Sequence, residues 1–334
     1  MKIQFLTASD TSLAEENPSL LDKIKAELQA CVECEEVNAP AQADAIVLHE
    51  ATSFKEWRYI EKLRRDPVIG QFPEKTYTIN TDDSSAGLLR GLYTSLAAPR
   101  FDSRIHRAVP FPTCLNERVL ERRDESWGDR RYLASWRGNT RSNPMRRKLV
   151  DQFAEDPHFR VEATDSWFNH GPEEKDAYVD LLLFSKFSLC PAGWASVSFR
   201  IYESMALGIA PVIIANDFVP PTGPDWPAFA LILKERELLQ LETLLEQIEA
   251  EYRERGRLAK SAWTQFFSPE AVHGYYAGAL LDCIRSAPRG SRAAELKRWS
   301  SFRMYWTNRW TAPQRVANKI AKLRGYTGAD SLAP

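Results

Sequence analysis

Apolar residues along this chain fall into two recurring spacings, short continuous runs and three-to-four-residue repeats, and the two alternate. Ile3 to Leu6 is a short run, while Leu20, Leu21, Ile24 and Leu28 recur with helical period over residues 19–30. Ala45 to Leu48 is continuously apolar, the pattern of a strand covered on both faces. Residues 54–65 carry helical spacing again, and Thr76 to Asn80 reads as a strand. Such strand–helix–strand alternation predicts parallel pairing with helices laid over the sheet.

Between Pro99 and Asp129 the rhythm stops. Pro99, Pro110 and Pro112 precede a charged stretch over 117–131, which reads as a connection between two units. Beyond it the alternation restarts. Strands are predicted at 132–136, 159–162, 187–190, 211–215 and 229–233, with helices at 144–153, 173–184, 197–207 and 235–252. The expected organisation is a first unit over 1–125, a second over 126–285, and an arm over 286–334. Two β/α units in one chain predict a ligand cleft between them, at the carboxyl ends of the strands.

Composition adds mainly exclusions. The 334 residues suffice for about two domains. With 44 Lys+Arg against 45 Asp+Glu there is no global reason to bind nucleic acid. No apolar run reaches the roughly 18–20 residues of a membrane span, and the first run meets polar residues too early for a signal-peptide core. These features predict a soluble, cytoplasmic protein. Five sparse cysteines fit a reducing compartment. Cys31 and Cys34 form a lone C-x-x-C with no second pair or spaced histidines, so no zinc site is expected and the thiols read as ordinary surface or core groups. The end of the chain is different. Residues 285–324 hold eleven Lys/Arg and one acidic residue, Glu295, with Trp299, Tyr305, Trp306 and Trp310 interleaved. A helical arm is expected there, packed back by its tryptophans or in peripheral contact with the inner, anionic face of a membrane.

One segment carries chemistry. A buried strand ending at Cys190 and Pro191 leads through Gly193 to Ser196, read as the N-cap of a helix that Gly208 ends. The next strand starts at Pro211, so that helix begins where parallel strands end, a place whose N–H groups and dipole attract phosphate. Arg200 and Glu203 lie three apart on one face of this otherwise apolar helix. A guanidinium fork suits a diphosphate, and a carboxylate suits two ribose hydroxyls. Charges wedged between buried strands must be paired or used.

Residues 187–229 resemble the signature of exostosin-type glycosyltransferases. The matching features are a strand ending in Cys190-Pro191, the Ser198-x-Arg200-x-x-Glu203 helix and Gly208-x-x-Pro211-Val212-Ile213, then Asp217, Pro220-Pro221 and Trp226-x-x-Phe229. Trp136-Arg137-Gly138, Arg146-x-x-Leu149, and Thr81-Asp82-Asp83 with Gly91-Leu92-Tyr93 are similar upstream pieces, so the likeness spans about 77–240. Trp194 departs from the basic or glycine-rich loop usual in the family. The resemblance implies a GT-B architecture, in which two Rossmann-like domains with parallel sheets face an interdomain cleft. It implies that Glu203 binds the ribose and Arg200 the diphosphate of a nucleotide-sugar. Arg146 would add a second cation, Arg137 a weaker one, and Gly193 and Ser196 would line the donor loop.

The same resemblance implies an inverting transfer without a metal ion or other cofactor, from a UDP-sugar to a glycan or lipid-linked acceptor in surface polysaccharide synthesis. Arginines and a helix N-terminus would then stabilise the leaving diphosphate. A base from the opposing domain would take the acceptor proton. Asp83, just past a strand end, is the first choice for that base, and Glu50, beside His49, the second. Two other readings stand beside this one: a fucosyltransferase-type GT-B enzyme using a GDP-sugar, and a saccharide-binding protein of the same fold without activity. Arg200, standing where the fucosyl family has a different motif, favours the first reading.

Overall fold

In the computed structural model, residues 1–304 are described apart from 17–18, 31–33, 51–58, 84, 115, 126–127, 129, 166–170 and 303. Cys31, Trp306, Trp310 and Tyr305 lie outside the described residues. Two all-parallel sheets organise the chain, as the alternation predicts.

The first contains β1 (Lys2–Leu6), β2 (Glu35–Glu36), β3 (Ala45–His49), β4 (Thr76–Asn80), β5 (Arg90–Tyr93) and β6 (His106–Ala108), in the order β2-β1-β3-β4-β5-β6. Helices α1 (Ser19–Ala30) and α2 (Tyr59–Arg65) cover it. Leu20, Leu21, Ile24 and Leu28 of α1 are buried against Ile3, Ala45 and Val47, so the helical spacing sets which face docks. Strands β5 and β6 escape the periodicity: four and three residues long, they include Arg90, Gly91 and His106 in place of an apolar run. Gly91 is required in β5. Its φ is +130°, and a Cβ there would meet the Thr78 carbonyl oxygen at 2.1 Å.

A short helix, α3 (Glu117–Glu121), lies in the connection and leads to the second sheet. That sheet runs β11-β10-β9-β7-β8, with β7 (Tyr132–Gly138), β8 (Phe159–Ala163), β9 (Ser185–Pro191), β10 (Ala210–Ile214) and β11 (Leu231–Leu233). Around it pack α4 (Pro144–Phe153), α5 (Pro172–Leu183), α6 (Phe199–Ala206), α7 (Trp226–Phe229), α8 (Leu241–Ile248) and α9 (Tyr252–Ala262). The single helix predicted over 235–252 is a 3₁₀ turn followed by α8 and a second 3₁₀ turn. Every residue of β10 is buried, as expected for a central parallel strand.

After Phe267 the chain leaves the second unit. Helix α10 (Val272–Ser286) buries Val272, Tyr276, Leu280 and Cys283 beside α1 and the first sheet. Helix α11 (Arg292–Trp299) follows it there, with Trp299 fully buried and its indole N–H donating to the Leu88 carbonyl at 2.9 Å. The buried Arg90–Glu295 pair ties α11 to β5. Two other contacts join the units directly: the Ala98 N–H donates to the Asp217 carbonyl at 3.0 Å, and Phe111 stacks on Phe199 at 3.8 Å. No helix among the described residues is long and apolar enough to cross a membrane.

Candidate functional site

The site grows from the carboxyl ends of β7 and β9. Two helices start there, and both starts are capped. Asn143 accepts from the Met145 N–H at 2.9 Å to open α4, and its side-chain amide donates to the Gly193 carbonyl at 3.3 Å, coupling the two loops. The cap of α6 is Ser198, which accepts from the Arg200 N–H at 3.4 Å. Ser196, expected in that role, is half-buried two residues earlier, because Val197 and Ser198 still run extended into the helix. Gly208 ends the helical segment with φ +69°, as its position implies.

Arg146, on the first turn of α4, is buried. Its guanidinium donates to the carbonyls of Ala192 (3.0 Å), Asn139 (3.1 Å) and Pro191 (3.4 Å). Arg200 is half-buried, and its Nε and Nη2 donate to the Arg137 carbonyl at 3.1 and 2.7 Å. Both guanidinium groups lie beside one indole, that of Trp136, at 5.9 and 5.8 Å from the ring. Among the described residues neither forms an ion pair with a carboxylate. Their donors go to neutral carbonyls, so both positive charges remain. Burial and the neighbouring Arg200 charge make Arg146 easier to deprotonate than an ordinary arginine, and the Asp83 carboxylate opposes this. Asp83 is exposed on the turn after β4 and belongs to the first unit, so its field on Arg146 acts between the two units.

Two like charges held beside one ring are an unfinished arrangement that an anion would complete. Buried polar atoms point the same way. The Trp136 Nε1 and the Ser142 hydroxyl have no hydrogen-bond partner among the described residues. The hydroxyl lies 3.8 Å from where a Cβ on Gly193 would stand. Glycine is needed at two points of the cradle, since a Cβ on Gly193 would come within 2.9 Å of Arg146 Nη2, and one on Gly138 within 2.4 Å of Arg200 Nη2.

Glu203, on α6, is buried, and its Oε2 accepts from the Tyr178 hydroxyl at 2.7 Å. Burial pushes its carboxyl upward, against the Tyr178 hydrogen bond and the Arg200 charge, which favour ionisation. Tyr178 also presents its ring to Arg200 at 6.0 Å. Arg137 does not join the pair of free cations. Its side chain is bound to Glu162 at 2.8 Å, and what it offers Arg200 is its carbonyl. Trp194, on the loop after Gly193, is 54% exposed. Of the residues singled out in the sequence, Arg146, Arg200, Glu203 and Gly193 converge, and Asp83 faces Arg146 from the other unit. Trp136 and Gly138 belong to the family-like Trp136-Arg137-Gly138, though that motif by itself names no role beside the arginines. Ser142 and Tyr178 carry the arrangement without a motif of their own. Among the described residues no three His, Cys, Asp or Glu side chains gather as a metal-binding group.

Residues 42–248 match the model of the exostosin GT47 domain. A protein of Arabidopsis thaliana named "Probable glucuronoxylan glucuronosyltransferase" is 36% identical over 97 residues, 26% of this chain and 22% of that protein. One from Oryza sativa subsp. japonica named "Probable glucuronosyltransferase" is 33% identical over 102 residues, 29% and 24% of the two chains. An Arabidopsis thaliana protein named "Probable beta-1,4-xylosyltransferase" is 33% identical over 86 residues, 25% and 21%. The matched stretch thus spans about a quarter or less of these relatives. The crystal structure of Acinetobacter baumannii MurG aligns over 85% of this chain and 99% of its own at 12% identity with a TM-score of 0.32, and the two parallel sheets define the fold class without it. Because the family model spans well over half of the chain, with all of the second sheet, four strands of the first and the arginine cradle, the chain belongs to the exostosin GT47 family.

Proposed function

We propose that this protein is a glycosyltransferase that moves a sugar from a UDP-linked donor to a glycan or lipid-linked acceptor, with inversion at the anomeric carbon. One observation carries the reading: two guanidinium groups that form no ion pair among the described residues, Arg146 and Arg200, lie beside Trp136 at the carboxyl end of the second sheet. A leaving nucleoside diphosphate is the anion that such a pair stabilises, and the charge that develops as the sugar–phosphate bond breaks makes the interaction stronger in the transition state than before it. The arginines would perform this task with no resident metal or cofactor. Glu203, set by Tyr178, would accept from the ribose hydroxyls, and Asp83 would take the proton of the attacking hydroxyl from the opposite unit. The relatives named for xylosyl and glucuronosyl transfer support a pentose or uronic-acid donor and a polysaccharide acceptor. Synthesis of a surface polysaccharide on the cytoplasmic side of a membrane, approached through the basic C-terminal arm, fits that chemistry.

Calorimetric titration with UDP and GDP, followed by assay of UDP release from UDP-xylose and UDP-glucuronate, tests the proposal. UDP binding that is lost in Arg200→Ala supports it. Binding of GDP in preference to UDP would move the protein to the fucosyl-type reading. Binding of neither nucleotide would leave a saccharide-binding protein.

A further inference from the structure

Glu50 stands at the carboxyl end of β3, 4% exposed, with its N–H donating to the Ile79 carbonyl at 2.9 Å. Its Oε2 accepts from the Thr78 hydroxyl and from the Asn80 side-chain amide, both at 2.9 Å. Asn80 then works in the other direction. Its Oδ1 accepts from the Asp82 N–H at 3.1 Å and from the Ser85 hydroxyl at 2.6 Å. Ser95 donates to the Asp82 carbonyl, which lies 2.9 Å from the Ser85 hydroxyl, and Arg100 Nη1 donates to the Ser85 carbonyl at 3.0 Å. These bonds define the turn on which Asp83 is carried towards Arg146.

We propose that Glu50 is a positioning residue for Asp83: when ionised it fixes the orientation of the Asn80 amide, and that orientation locks the turn that carries Asp83. The inference rests on the reading of Asp83 as the base. The logic is one of donors and acceptors. An ionised Glu50 offers only lone pairs, so Asn80 must turn its NH₂ towards Glu50 and its oxygen towards the Asp82 N–H. A proton on Oε2 would turn to the Thr78 hydroxyl, which can accept it, and leave Asn80 only a neutral oxygen to donate to. A proton on Oε1 would have no partner among the described residues and would leave Oε2 a neutral carbonyl. Either way the Asn80 bond loses the charge that strengthens it, and the lock loosens.

The environment places this change near neutrality. Burial raises Glu50 to about 7, the Asn80 and Thr78 bonds oppose the rise, and the Asp82 charge adds to it. Among the described residues the other ionisable groups about it are Tyr93 of β5, whose hydroxyl donates to the Leu89 carbonyl, and His49 of β3, which is turned to Thr81 at 3.3 Å. Burial lowers His49 and so favours its neutral form.

Amide hydrogen exchange of peptides covering 81–95, corrected for intrinsic rates, tests the lock without any assay of activity. One unit below its midpoint about nine in ten Glu50 side chains carry a proton, so wild-type protection is expected to fall about tenfold from pH ~8 to pH ~6. In Glu50→Gln, which is neutral at every pH, protection is expected to be the same at both, near the wild-type level at pH ~6. Equal protection in the wild type, or the same pH dependence in Glu50→Gln, overturns the proposal. The second readout is the pH profile of UDP release. In Glu50→Gln the part of the acid limb owed to Glu50 should flatten, turnover holding near the wild-type value at pH ~6 with the donor KM unchanged. Loss of UDP release at all pH values with UDP binding intact would make Glu50 itself the base, and overturn the positioning role. A wild type that releases no UDP from any sugar nucleotide refutes the enzymatic reading alone, and the exchange result still decides whether Glu50 locks the turn.

Discussion

Replacing Gly138 by alanine should unseat Arg200 while hardly touching the fold. Gly138 has no left-handed φ, so alanine strains no backbone there. The added Cβ would lie 2.4 Å from Arg200 Nη2 and 3.1 Å from its Cζ, so the guanidinium must withdraw about an ångström to regain ordinary contact. That movement breaks the two bonds to the Arg137 carbonyl and takes the cation from where a diphosphate would meet it. A hydrogen bond to a charged group is worth about 1.5–3 kcal/mol. A loss of about 2 kcal/mol raises the dissociation constant for UDP roughly 30-fold. The atom displaced is the far end of a long side chain, so the melting temperature should fall by only about 2–4 °C. Calorimetric titration with UDP and thermal melts measure both quantities. The decisive comparison is a double-mutant cycle. In the Arg200→Ala background the obstacle is gone, and Gly138→Ala should cost less than about threefold, the remainder being the Trp136 ring at 3.1 Å. Equal losses in the two backgrounds would refute the claim that Gly138 acts through Arg200.

Three further outcomes are expected. Asp83→Asn should lower the turnover of UDP release by about 10²–10⁴ and leave the UDP dissociation constant within about twofold, as loss of a base requires; a parallel fall in UDP affinity would assign Asp83 to binding. Tyr178→Phe removes a donor from the buried Glu203 and should cost about 1–3 kcal/mol in denaturant unfolding at pH ~8, and less at pH ~5, where a carboxyl already raised by burial takes up its proton more readily. Glu50→Gln should stabilise the protein at high pH. Between the unfolded value of 4.5 and the folded value of about 7 the native state holds the extra proton, so Glu50 takes stability away as pH rises through that window. The variant should therefore gain up to about 3 kcal/mol over wild type at pH ~8 and nothing near pH ~4, and a gain that does not vary with pH would contradict the linkage.

The features that the sequence made legible were those written in a single element. Continuous apolar runs marked β3 and β10, and the spacing of four apolar residues marked α1. Arg200 and Glu203 stood out as charges on a helix flanked by buried strands. What depended on distant partners was hidden. Strands β5 and β6 hold arginine, glycine and histidine because neighbouring strands and α10 cover them, and no local periodicity records that cover. The cap moved from Ser196 to Ser198 because two serines compete there and the start of the helix is set by Phe199 stacking on Phe111. Arg137 looked like a cation for the site, but Glu162 on the adjacent strand holds its charge. Trp136 is legible only as part of the family-like Trp136-Arg137-Gly138, and nothing local records that two arginines share its ring.

The hydrophobic face of α1 is completed by residues 272–283, synthesised about 250 positions later. On the ribosome the amino-terminal half must therefore wait, its Ile24 and Leu28 without their final cover, while the later-made half assembles a core from its own segments and residues 111–121. Vectorial synthesis therefore lets the second unit close its core before the first receives its cover from α10.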